Sequence, residues 1–358
     1  MKLKTALPAV LVSGLLLTSC SLKQNGGGAT VTVTAAAQAA AAGGSASSGS
    51  ASSAAAVDVP SLAGKKIGIS IVGTDHYWDR NAYESAGAEV KRLGGTPIAV
   101  QAGRQGSQQI ADLENLVAQK PDAIISILGD AAALAPEFQK IKAAGIPLFT
   151  MDQPSPLSVN NVTSDNYRVG ETVMRTMAED MGGKGNILLF NGFTSTRVCN
   201  LRYEQFQAVL KDYPDVHILQ PELQDVIPGT VEDARQKTTD ALNRYPRGQI
   251  QAIAAACWDV PGVGAAQAVT AAGRSEIKIY GNDGDPSALA LVCDPKSPYQ
   301  ADVAQQPKLI GKQSADNVAL YLGGKKDMVK HTTYFDPILV TKQNCAQIVP
   351  TLGITAGS

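Results

Sequence analysis

Short apolar runs alternate along this chain with longer stretches of helical spacing. Residues 66–72 (KIGISIV) form an Ile-rich run, as expected of a buried parallel strand. Residues 79–93 carry helix-forming side chains and stop at Gly94-Gly95, a helix-ending signal. Residues 97–101 read as a second strand. Ser107 can then cap a helix with Ile110, Leu113, Leu116 and Val117 on one face. A strand at 123–128, a helix at 132–144 and a strand at 146–151 complete four βα repeats. This alternation predicts a doubly wound parallel sheet.

A second run begins after residues 161–166 (NVTSDN). Helix 169–181, strand 186–190, helix 201–211 and strand 217–219 come first. Helix 231–244, strand 252–256, helix 262–272 and strand 278–280 follow. Two similar α/β lobes in series are the inference, and roughly 295 residues beyond residue 62 suit two lobes or one large α/β domain. A net charge of −1 gives no electrostatic case for nucleic acid.

The N-terminus departs from this pattern. Lys2 and Lys4 precede an apolar run over residues 6–17, too short for an ordinary spanning helix, so the segment reads as an export signal. The residues before Cys20 resemble a bacterial lipobox, in which Cys20 is lipidated and becomes the new N-terminus. An incidental cysteine after an ordinary signal peptide is the alternative. Residues 26–56 are almost only Gly, Ala, Ser, Thr and Val, too small to offset the entropy of ordering the backbone. About 40 residues of such coil average roughly 35 Å end to end. Beyond Cys20, no apolar run approaches the ~20 residues of a spanning helix. Cys199, Cys257, Cys293 and Cys345 remain, an even count that favours disulfides in an oxidising compartment, with three pairings open.

In open α/β sheets ligands sit beyond the carboxyl ends of the strands, so the strand-to-helix loops matter most. They read Gly73-Thr74-Asp75-His76-Tyr77-Trp78-Asp79, Met151-Asp152-Gln153, residues 191–200 (NGFTSTRVCN), Cys257-Trp258-Asp259, and Gly281-Asn282-Asp283-Gly284-Asp285. Both tryptophans of the chain lie in these loops. Aromatic faces ringed by carboxylates and amides describe a site for a neutral polyhydroxylated molecule. Blander readings stand beside this one: Asp79, Asp259 and Asp285 each precede a helix as a cap would, and Trp78 can be lobe packing.

Enzyme chemistry finds little support. Of three histidines, His217 opens a strand, His331 lies in a late connection, and only His76 is placed for a triad, without a G-x-S-x-G elbow. His76 and Asp79 fall short of the three protein ligands of a catalytic metal site. No phosphate-cradling motif and no C-x-x-C pattern occurs, so neither cofactor nor metal is expected.

With these loops, the chain resembles the ribose/galactose-type sugar-binding proteins of bacterial ABC importers. The resemblance runs over residues 65–343 and rests on KKIGISIV, KPDAIISI, AAGIPLFTMD, VTSDNYRVGE, the RYEQF helix, IYGNDGDP and ADVAQQPKLIGK in that order. It implies the type I periplasmic-binding fold: two doubly wound parallel-sheet lobes joined by three hinge crossings, near Ser164-Asp165, Gln305-Gln306-Pro307 and Asp336-Pro337. The implied division is a lipoprotein signal at 1–20, a tether at 21–62, an N-terminal lobe at 63–164 plus 307–336, and a C-terminal lobe at 165–306 plus 337–358. Residues 308–323 would be a helix returning to the first lobe, and residues 338–341 a last strand of the second.

The family's contact positions fall on His76, Tyr77, Trp78, Asp79, Asp152, Gln153, Asn200, Trp258, Asp259, Asn282, Asp283 and Gln305. Gln153 and Asn200 stand where the family carries arginines, so both forked donors are expected to be lost. One aromatic wall moves from position 282 to 258. The resemblance also implies the pairs Cys199–Cys257 and Cys293–Cys345. The expected partners are a neutral sugar or polyol, an ABC permease and a membrane reached through lipid on Cys20, for a monomer held outside the cytoplasm at the cell surface or in a periplasm. A sensory receptor of the same fold, a surface glycoside hydrolase and an adhesion module are the alternatives.

Overall fold

The structure, a computed structural model, describes residues 57–193 and 196–354 together with the backbone of the strand Val31–Val33. Cys20 and most of the expected tether lie outside the described residues.

Two parallel sheets form two lobes. The first has seven strands: β1 (Val31–Val33), β2 (Lys66–Ile71), β3 (Thr96–Gln101), β4 (Ala123–Ile127), β5 (Leu148–Met151), β6 (Asn160–Ser164) and the late β12 (Thr332–Phe335). Their order is β1-β12-β6-β5-β4-β2-β3. The second has six: β7 (Lys184–Phe190), β8 (Asp215–Ile218), β9 (Ala252–Ala255), β10 (Lys278–Asp283), β11 (Tyr299–Ala304) and β13 (Ile338–Thr341), in the order β13-β11-β10-β9-β7-β8. Among the described strands only β13 runs antiparallel, against β11. Central strands carry the expected apolar load: Ile67, Ile69, Ile71, Ile125 and Ile127 are fully buried, each burial contributing about 1.5–3 kcal/mol.

The chain passes between the sheets after β6, after β11 and after β12, so each lobe is assembled from separated segments. The three crossings lie together. Asp165 N donates to Phe335 O (3.0 Å), Gln306 Nε2 to Asp336 O (3.0 Å) and Arg168 Nη1 to Asp336 Oδ1 (2.7 Å).

Helices pack on both sheets, and three pairs meet at a glycine. These are α1 (Tyr77–Arg92) with α9 (Pro307–Leu322), α4 (Asn166–Asp180) with α5 (Arg197–Leu210), and α6 (Thr230–Arg244) with α7 (Val260–Ala271). A Cβ on Gly311 would overlap the Ala82 carbonyl, one on Gly170 the Arg202 carbonyl, and one on Gly264 the Val231 carbonyl. Only a residue without a side chain lets these backbones approach so closely.

Several expectations are corrected. The helix α2 (Gly106–Ala118) starts after Gln105, so Ser107 lies inside it and is not its cap. Strands β6, β11 and β12 and helix α8 (Pro286–Cys293) were not legible as elements. The sequence of β6, NNVTS, is polar yet wholly buried, because its side chains bond to neighbouring segments. Asn160 Nδ2 donates to Thr333 Oγ1 (3.1 Å), and Asn317 Nδ2 donates to Asn160 Oδ1 (2.9 Å). Such pairing removes the penalty of burying amides. Within the expected tether, Val31–Val33 instead pairs in parallel with β12, occupying the backbone groups that β12 would otherwise leave unpaired at the sheet edge.

Candidate functional site

The lobes close on a cavity of about 320 Å³ at the carboxyl ends of the strands. Closure is continuous in the packing. Val198, Cys199, Cys257 and Trp258 of the second lobe join the first lobe's core, which includes Trp78 and Leu128. Loop geometry aims the lining residues. Among the described non-glycine residues, Arg104 (φ 65°), Leu128 (53°), Asp152 (48°), Phe193 (57°) and Asp283 (129°) have positive φ and all line the cavity; Lys120 is the exception. Such conformations cost of order 1–3 kcal/mol each and persist where the surroundings over-determine them.

Arg202, 2 % exposed, organises the inner end. Its Nη1 donates to Asp283 Oδ1 (2.8 Å), Asn282 Oδ1 (2.9 Å) and the Cys257 carbonyl, and its Nε donates to Asn166 Oδ1 (2.7 Å). Its Nη2 lies 4.0 Å from Asp152 Oδ2 of the first lobe. Burial pushes the Asp152 carboxyl up to about 6 in spite of that guanidinium. Burial likewise raises Asp283, against the pull of Arg202 and His76.

His76 stands between the lobes. Its Nδ1 is 3.9 Å from Asp79 Oδ1, its Nε2 is 4.0 Å from Asp283 Oδ2, and its ring meets Trp258 edge-on at 4.7 Å. Burial disfavours the charged imidazole, but Asp79, Asp283 and Asp285 together hold its pKa above the usual value. Among the described residues, four cavity-lining side chains each bury a polar atom without a protein hydrogen-bond partner: His76 Nε2, Trp78 Nε1, Gln109 Oε1 and Gln305 Oε1. Buried polar atoms are ordinarily hydrogen-bonded, and in a cavity wall a bound molecule or water can supply the missing partner.

The structure brings His76, Trp78, Asp79, Asp152, Trp258, Asp283 and Gln305 to the cavity wall. It places the other five expected contacts outside the lining. Tyr77 packs on the second lobe's core, where burial pushes its phenol up to about 12. Gln153 turns into the first lobe, its Oε1 accepting from Ser126 Oγ (2.9 Å). Asn200 sits in the first turn of α5. Asn282 is fully buried behind the wall, held by Arg202 and donating to Ala255 O (2.9 Å). Asp259 is fully buried and accepts from Asp285 N (2.7 Å), making no cap bond to its own helix. Of the expected caps only Asp285 is one, accepting from Ser287 N (2.8 Å). Asp79 lies within α1.

Two arginines outside the expected contact positions, Arg202 and Arg104, line the cavity. Arg202 lies two residues beyond Asn200, inside the RYEQF helix, where helical geometry turns it inward. Arg104 comes from the loop after β3, which carried no chemical signal.

Behind the wall, Asp302 accepts from Gly284 N (2.9 Å) and from Tyr299 Oη (3.2 Å). Burial, reinforced by Asp283, pushes its carboxyl up to about 8. The unfolded chain releases that proton near pH 3.9, so the folded state holds more protons between about pH 4 and pH 8. Stability contributed by the bound proton is therefore lost as pH rises across that window. In Asp302→Asn this component of the fall is expected to vanish, with the gain over the parent largest above pH 8. Urea unfolding at acid and alkaline pH checks it, and parallel profiles for the two proteins reject it.

Cys199 and Cys257 face each other in the cavity wall with Cα atoms 4.7 Å apart, within bridging range. Cys293 and Cys345, expected as a second bridge, are present as thiols. They are neighbours, and burial together with the Cys345 thiol pushes Cys293 up to about 12. Among the described residues no His, Cys, Asp and Glu cluster suited to a metal ion occurs, and no helix is long and apolar enough to cross a membrane.

Comparison with known proteins places this geometry. The family described as periplasmic binding protein domain matches residues 67–326. A solute-binding protein of an ABC transporter from Agrobacterium vitis, solved with bound allitol, is 49% identical. It superposes with a TM-score of 0.78 over 81% of this chain and 100% of its own. The ribose import binding protein of Bacillus subtilis is 28% identical over 275 residues, 75% of this chain and 86% of that one. A xylitol-binding protein of Mycolicibacterium smegmatis is 31% identical over 194 residues, 52% of each chain.

Proposed function

This chain belongs to the periplasmic binding protein family, and from that premise we propose that it is the extracytoplasmic solute receptor of an ABC importer. It captures a neutral sugar or polyol between its lobes and delivers it, enclosed, to the permease. Its work is binding with hinge closure, and no bond is made or broken.

The observation that carries this reading is the set of orphaned polar atoms in the wall. Trp78 Nε1 can only donate and Gln305 Oε1 can only accept, while His76 Nε2 can do either. A hydroxyl group both donates and accepts, so a polyhydroxylated molecule satisfies all of them at once. Charge supports the same class. Arg104 and Arg202 are ion-paired to Asp79 and Asp283 and outnumbered in the lining by Asp79, Asp130, Asp152 and Asp283, so no free positive charge is left to select an anion. Trp258 and Phe193, 5.4 Å apart, supply aromatic surface for C–H faces. The relatives associated with allitol, ribose and xylitol bind molecules of this kind.

Finer features belong to the same proposal. His76, Trp78, Asp79, Asp152, Arg202, Trp258, Asp283 and Gln305 form the contact set. A Cys199–Cys257 bridge fixes the start of α5 to the loop after β9, so that Arg202 and Trp258 hold their places before ligand arrives. Cys20 carries lipid, which keeps a monomeric receptor beside its permease. Recovery of the mature chain in the soluble rather than the membrane fraction of its cells would remove the anchor from this account.

A thermal-shift screen against pentoses, hexoses, open-chain polyols and cyclitols tests the function. A ligand at 100 times its Kd adds ~2.7 kcal/mol to stability. At least one compound is expected to raise Tm by several degrees; a flat response across all four classes sinks the reading.

A further inference from the structure

Arg104 is the one cavity-lining cation that neither the loop signals nor the family pattern explains. Its loop is built to present it. The residue adopts φ 65° directly after Gly103 at φ 56°, and its backbone N–H is held by Val72 O at 2.7 Å. Its side chain lies over Gly73, where a Cβ would come within 2.9 Å of Arg104 Nε. Nε donates to Asp75 Oδ1 (2.9 Å) and Nη2 to the Asp79 carboxylate. These bonds orient the fork and leave Nη1 without a protein partner among the described residues.

The cavity therefore has two charge-paired grips. One is Arg202 with Asp283 and Asp152; the other is Arg104 with Asp79. His76 links them, with one carboxylate 3.9 Å away on the first lobe and the other 4.0 Å away on the second. Arg104, Asp79, His76, Asp283 and Arg202 thus form an unbroken series of contacts from one grip to the other, beside the aromatic surface of Trp258 and Phe193. Hydroxyls of a compact ring radiate in all directions, whereas those of an extended carbon chain follow such a series.

Building on the reading of the site as a receptor for neutral polyhydroxylated solutes, we infer that Arg104 is a specificity-determining residue that binds the far end of an open-chain polyol. Paired with Asp79, its guanidinium holds the terminal vicinal diol and selects a five- or six-carbon chain over a shorter one.

Titration calorimetry of the full chain with allitol, xylitol and erythritol tests this, alongside D-ribose and myo-inositol as ring probes. The parent is expected to bind the two longer chains more tightly than erythritol. In Arg104→Gln the affinity for allitol should fall about 10- to 100-fold, the range for hydrogen bonds to a charged group, while erythritol binding barely changes. Gly73→Ala displaces the guanidinium without removing it and should give the same length-dependent loss. Arg104→Lys, which keeps charge without the fork, should fall between. A melting temperature close to the parent's separates these effects from misfolding, and Gly73→Ala decides the matter if Arg104→Gln unfolds. Equal losses at every chain length, or none, overturn the assignment. A parent that binds ring sugars but no open chain overturns it and leaves the receptor reading standing. A parent that binds neither class overturns both.

Discussion

Replacing Arg202 by alanine is expected to lower folding stability by about 3 kcal/mol and to weaken ligand binding by about two orders of magnitude. The guanidinium is almost wholly enclosed and bonds to Asp283, Asn282, Asn166 and the Cys257 carbonyl. Its removal leaves Asp283 and Asp152 buried beside a void, with acceptors that water reaches poorly. Both carboxyls already tend toward their neutral forms through burial, and taking up protons offsets part of the damage. That relief holds the expected loss at the lower end of the 3–5 kcal/mol seen when one partner of a buried pair is removed. It also makes the loss smaller at acid pH than at neutral pH. Urea unfolding at both pH values, with calorimetry on the best ligand from the screen, measures the two effects. A loss under 1 kcal/mol would mean that Arg202 is not the centre of the inner wall.

Gly170→Ala tests how the scaffold holds that arginine. In an exposed helix the change would stabilise by up to ~1 kcal/mol through propensity. Here the added methyl would overlap the backbone carbonyl of Arg202 on α5, which cannot step aside as a side chain could. Overpacking of this kind costs about 1–3 kcal/mol, and the displaced helix carries Val198, Cys199 and Arg202 away from the cavity. Stability and affinity should therefore fall together. Gly87→Ala on α1 is the matched control. Its new Cβ would have its nearest neighbour, Ile69 Cδ1, at 4.0 Å, so it should be neutral or stabilising. Similar melting temperatures for the two variants would show that α4 and α5 are not so tightly seated.

The legible parts of the fold share a physical trait. Strands β2 and β4 were readable because Ile fills them and both faces are buried. Helix ends at Gly94 and the return helix α9 were readable from local signals and family order. Strand β6 was not, since Asn160 is satisfied by partners far along the chain, Lys330, Thr333 and Asn317, and Asn161 and Thr163 by Thr150 and Asp152 of the neighbouring strand and its loop. In the site, Trp78, Trp258 and Asp283 announced themselves through residue type at strand ends. Arg202 and Arg104 did not, because one is buried by a helix's rotation and the other is turned inward by a left-handed backbone that local sequence does not specify.

The interleaved topology also constrains the order in which the molecule can form. Helix α1 begins at Tyr77 and is covered by α9, which begins at Pro307; β12, at residues 332–335, supplies an interior strand of the same sheet. Contacts between segments so far apart in sequence form slowly, because closing the intervening loop precedes their reward. A chain emerging N-terminus first thus holds its second lobe, all but β13, before its first lobe can close. Until the last fifty or so residues appear, the side of α1 that α9 covers stays open, with β2 and β3 to pack on. The half that is made first is thus a half that cannot finish folding early.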